Sequence, residues 1–172
     1  MATQQPRLGL GPEGRARRLE ANLSGAIYGV ITATAVMTAT SGHGGTAWTV
    51  LAGTTITLVV FWLAHVYAEV LAHHLGGHHR PSFQLVNRVA MAELPLVTAP
   101  APSLILLALG VIGLLSDPTA IDLALGMGVL QLVGWAFAYA RQQGWPWLAS
   151  IGIGAVNGTF GVAIIALKTL VH

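Results

Sequence analysis

Between Glu20 and Glu69 the chain carries no Asp, Glu, Lys or Arg. One crossing of a bilayer takes about 20 apolar residues, so this stretch is long enough to cross twice. The small-residue cluster Ser41-Gly42-His43-Gly44-Gly45 divides it. A soluble fold cannot leave such a stretch uncovered. Charged residues make up 8 % of the whole sequence, against about 25 % in ordinary soluble domains. The composition therefore excludes a soluble globular domain and a disordered tail. The absence of cysteine removes disulfides, thiolate metal sites and thiol chemistry. A polytopic, all-α membrane helix bundle is the class that remains.

Breakers place five transmembrane helices. We expect spans near residues 23–41, 46–73, 86–115, 120–140 and 147–170. The third is interrupted by Pro95, Pro100 and Pro102. Residues 1–22 read as a basic cytoplasmic segment holding Arg7, Arg15, Arg17 and Arg18, and residues 23–172 as the membrane domain. The part from Pro12 to Asn22 is expected to be a short helix on the inner membrane surface, touching anionic lipid. An N-in, C-out arrangement puts seven of the eight basic residues inside, with Arg80, Arg88 and Arg141 joining the N-terminal four. The inverted arrangement puts seven outside, against the positive-inside rule. The basic residues are too few and too scattered to bind nucleic acid. The expected setting is the cell membrane, with lipid as the main partner.

Glycine pairs at a spacing of four, Gly25 with Gly29 and Gly154 with Gly158, predict close helix–helix contact. Gln131, Asn157 and Tyr28 read as interhelical hydrogen-bonding groups. The five tryptophans read mostly as an aromatic belt at span ends. Ser116-Asp117-Pro118-Thr119 is a turn, in which Asp117 and then Asp122 supply a cap and first-turn charge to the fourth span.

Ionisable side chains inside a membrane are costly and are functional candidates for that reason. His65, Glu69 and His73 are spaced i, i+4, i+8 and fall on one stripe of the second span. Imidazole with carboxylate suits Fe, Zn, Mn or Ni, or a relayed proton. His74, His78 and His79 follow in a glycine-containing loop that reads as a collecting surface for metal at the inner mouth. Glu93 stands in Met91-Ala92-Glu93-Leu94-Pro95, where Pro95 frees the carbonyl of Met91. A carboxylate beside freed carbonyls at membrane depth is material for a cation or proton site. Arg88, about one turn away, offers the plainer alternative of a structural ion pair.

Ser24-Gly25-Ala26-Ile27-Tyr28-Gly29-Val30 is similar to the opening glycine-rich helix of the vacuolar iron transporter family. Tyr67-Ala68-Glu69 resembles that family's Gly-Glu-Tyr region, and Ile151-Gly152-Ile153-Gly154-Ala155 the start of its last helix. The resemblance implies a five-span metal exporter and carries over Glu69. Tyr28 stands where the family has a first-helix carboxylate, and the short histidine loop replaces its long acidic insert.

These features point to a channel or transporter for a small cation, a divalent metal ion or a proton, and to a homo-oligomer built on the glycine faces. Glu93, Glu69 and His65 would line the path. The alternatives are a non-transporting accessory subunit and a haem-binding redox module. No Ser-His or Asp-Asp arrangement lies at depth, so no enzyme is expected.

Overall fold

A computed structural model describes residues 12–42, 44–75 and 83–171. The chain is all-α, with no strand among the described residues. Seven helices follow in order: α1 Pro12–Ser41, α2 Ala47–Leu75, α3 Phe83–Ala92, α4 Pro95–Thr98, α5 Ala101–Val111, α6 Asp117–Gln142 and α7 Trp147–Val171. Three of them contain stretches long and apolar enough to cross a membrane: Leu23–Ser41, Ala47–His73 and Asp117–Gln142. A fourth such unit is the broken run of α3 and α4 (Phe83–Thr98) with α5, bent by 58°. In α7 the apolar stretch Trp147–Ala163 is shorter.

The first helix differs from the expected surface helix plus span. Its backbone runs helically from Pro12 through residue 22 without a break. Arg15-Ala16-Arg17-Arg18-Leu19-Glu20-Ala21 is made of strong helix formers, and a change from polar to apolar residues is no signal to stop a helix.

α1 and α6 are central. α1 packs on α2, α4, α6 and α7, and α6 on α1, α5 and α7. The most apolar stretch of α2 is 17 % buried, against 39 % for α1 and for α6, so α2 lies at the edge. Its Ile56, Val60, Leu63 and Tyr67 face outward. The core joins Ala33 and Met37 of α1, Val50 and Leu58 of α2, Leu96 of α4, Leu107 of α5, and Ile121, Ala124 and Leu125 of α6.

Small residues set the spacing. On α7, Gly154 and Gly158 pack against Val133 of α6, and Gly161 against Val129 and Leu132. Gly128 of α6 faces Thr34 of α1. On α1, Gly25 and Gly29 meet Pro95 and Leu96 of α4. The glycine pairs therefore lie at helix–helix contacts, as their spacing predicts. At the α5–α6 turn the cap is Ser116 rather than Asp117: its Oγ accepts from the Thr119 amide at 3.4 Å. Asp117 is the first-turn charge.

Candidate functional site

Three prolines in eight residues make the third span a broken helix, and each deletes one backbone donor. Pro95 leaves the Met91 carbonyl without its usual partner, Pro100 the Leu96 carbonyl and Pro102 the Thr98 carbonyl. The bend at Ala99 and Pro100 turns the Ser103 amide to the Pro100 carbonyl at 3.0 Å. This releases the Ala99 carbonyl, the i−4 partner of Ser103 in a regular helix.

Neighbouring helices take up the released groups. Gln131 of α6 donates its amide to the Ala99 carbonyl, and its Oε1 accepts from Ser103 Oγ at 2.9 Å. The interhelical role expected for Gln131 is thus the one observed. Trp62 Nε1 of α2 donates to the Ala90 carbonyl at 3.1 Å. In an unbroken helix that carbonyl would go to Leu94, which lies past the break. Gly29 takes the Leu96 carbonyl against its bare Cα. Each side of the Glu93–Leu94 break is therefore tied to another helix, by Trp62 before it and by Gly29 after it.

Glu93, at this break, is half-buried. Its carboxylate forms no ion pair with Arg88, and among the described residues it has no hydrogen-bond partner. It shares a cleft of about 340 Å³ with Phe61, Ala64, His65, Ala68 and Glu69 of α2. Those five residues are spaced i, i+3, i+4, i+7 and i+8, one face of a helix.

His65 is half-buried and Glu69 exposed. The Nδ1 atom of His65 lies 2.9 Å from the Phe61 carbonyl oxygen. A carbonyl only accepts, so Nδ1 carries the hydrogen and Nε2 is the basic nitrogen of the neutral ring. Tyr28 of α1 lies against that ring at 5.6 Å between centroids and against Phe61 at 6.1 Å. One turn further along, His73 Nδ1 sits 2.9 Å from the Glu69 carbonyl oxygen and 3.6 Å from the Glu69 carboxylate. Both side chains are exposed there.

Of the seven residues singled out in the sequence, the cleft unites His65, Glu69 and Glu93, and His73 adjoins Glu69. The side chain of His74, and His78 and His79 altogether, lie outside the described residues. Among the described residues no three His, Asp or Glu side chains converge closely enough to hold a metal ion. Tyr28 and Trp62 were not singled out as parts of the site. Trp62 lies within α2 and its indole N–H points to a backbone carbonyl of α3, so it is not a belt residue.

A second polar group lies deeper. Thr34, Thr38, Thr54 and Ser103 are buried among apolar residues. Thr34 and Thr38 donate to the carbonyls four residues earlier, at 2.8 Å each. The Thr54 hydroxyl is buried without a partner. The i, i+4 spacing of Thr34 and Thr38 is visible in the sequence as a polar stripe on an apolar helix.

No family model, curated protein or solved structure matches the chain.

Proposed function

We propose that the chain is a five-span membrane protein, N-terminus inside and C-terminus outside, that passes a small cation through the cleft between α2 and the broken helix. The observation that carries this reading is the placing of Glu93 opposite His65 and Glu69. A half-buried carboxylate without a protein partner has to be protonated, wetted or occupied by a cation. Evolving such a group in an apolar helix is costly unless it is used.

Seven of eight basic residues on one side support the orientation. α7 has 25 residues, a length of about 37 Å, against a hydrocarbon thickness of about 30 Å, and so serves as the fifth span.

A proton fits this arrangement better than a metal ion. A metal needs several ligands converging on one point, and the described side chains do not converge. A proton needs one acceptor at a time. Two carboxylates and an imidazole with a free Nε2 supply a series of acceptors. The His73–Glu69 pair at the end of α2 is the feature that favours a divalent metal as second cargo.

Purified protein in liposomes tests the proposal. With an imposed pH gradient, proton flux is expected well above that of empty vesicles. Flat traces for protons and for Fe, Zn, Mn and Ni would make the chain a non-transporting accessory subunit.

A further inference from the structure

The cleft is larger and more apolar than a proton path requires. We infer that it takes a small organic ammonium ion, a conclusion that rests on reading this cleft as a cation site. Its volume of about 340 Å³ falls within the roughly 300–1,000 Å³ of small-molecule sites. One water molecule needs about 30 Å³.

The walls are arranged for an occupant with both a charge and a hydrocarbon body. Phe61, Ala64 and Ala68 form the apolar side on one face of α2. The two alanines leave room beside the Phe61 ring. Glu69 and Glu93 supply negative charge, and no Lys or Arg lines the cleft. With His65 neutral the site has a net negative charge, which selects a cation. The ring of Phe61 lies beside those of Tyr28 and His65 and offers an aromatic face to an ammonium group.

An unsolvated metal ion uses none of the apolar wall and lacks converging ligands here. A neutral apolar molecule would leave Glu93 desolvated and unpaired, which is costly. An alkyl- or arylammonium ion satisfies both sides: its charge rests between the carboxylates and its body on Phe61, Ala64 and Ala68.

The test is binding of radiolabelled benzyltrimethylammonium to the full chain in nanodiscs, with empty nanodiscs subtracted. Saturable binding is expected, displaced by unlabelled benzyltrimethylammonium and not by an equal concentration of potassium. Glu93→Gln should weaken it about tenfold or more, the loss of one charge pair. Phe61→Leu should weaken it about threefold to fivefold through the lost aromatic face. The inference is overturned by absent binding, by equal displacement with potassium, or by full binding in folded Glu93→Gln. The potassium competition uses wild-type protein and decides the matter even if a variant fails to fold. Proton flux from the same preparation separates the two readings. Flux without ammonium binding overturns this inference alone, whereas loss of both overturns the cation path as well.

Discussion

Gly29 of α1 lies against the Leu96 carbonyl oxygen of α4 with no room for a Cβ between them. The relationship has a cause on each helix. Residue 100 is proline, so the Leu96 carbonyl has no amide four residues on. A glycine Cα–H can approach such an oxygen closely, and contacts of this kind recur where membrane helices pack.

The two glycines of α1 should therefore respond differently. A methyl at Gly29 meets backbone, which cannot swing aside, while one at Gly25 finds Pro95 Cβ at 3.9 Å and the Leu96 amide at 3.8 Å, ordinary contact. Gly29→Ala is expected to lose about 1–3 kcal/mol by overpacking. Gly25→Ala should range from neutral to a gain of about 1 kcal/mol through helix propensity. Thermal unfolding in detergent distinguishes them, and equal midpoints for the two variants would refute the contact.

Gln131 should behave as a structural latch on the bend. Gln131→Leu strands the Ala99 carbonyl and the Ser103 hydroxyl together, an expected loss of about 1–3 kcal/mol. Ser103→Ala removes one donor and should lose less than about 1 kcal/mol. Denaturant titration in mixed micelles gives the ordering, and a larger loss from Ser103→Ala would reverse the assignment.

Much of this arrangement was legible before any coordinates. Charge-free runs and breakers placed the helices because burial from water and the rise per residue leave few choices. Glu93 with His65 and Glu69 stood out because ionisable groups are scarce in apolar helices. The partners of the break were not legible. An indole in an apolar helix reads equally as a belt residue, and only packing shows that Trp62 reaches Ala90. Glycine spacing announced a close contact without naming α4 as the other side. The continuity of α1 past residue 22 was missed because a membrane boundary has no backbone signature.

Orientation is open to a direct test. A reporter fused after His172 should read as extracytoplasmic, and one fused after Arg141 as cytoplasmic. The expectation rests on the uneven distribution of arginines. Moving the charge bias is the control: replacing Arg15, Arg17 and Arg18 together by Gln should yield a mixed population. A cytoplasmic signal after His172 in the wild-type chain would remove the five-span arrangement.

Glu93 is where fold and function separate most cleanly. Its carboxylate makes no ion pair with Arg88, so Arg88→Gln should leave both unfolding temperature and proton flux unchanged. Glu93→Gln keeps the shape of the side chain and removes the charge. Because the carboxylate has no partner among the described residues, no native interaction is lost, and the removal of an unpaired charge in an apolar setting should leave stability equal or slightly higher. Flux per folded molecule should nevertheless fall to the level of empty vesicles, since an amide cannot take up and release a proton in this range of pH. Trp62→Phe provides the intermediate case. It keeps an aromatic ring, loses the hydrogen bond to Ala90 and lets the break shift, so flux should fall partway. The pattern expected is no effect at Arg88, a partial effect at Trp62 and a complete one at Glu93, with stability following a different order. If Glu93→Gln unfolds the protein while Arg88→Gln does the same, the pair is a clamp after all and the cleft is not the path.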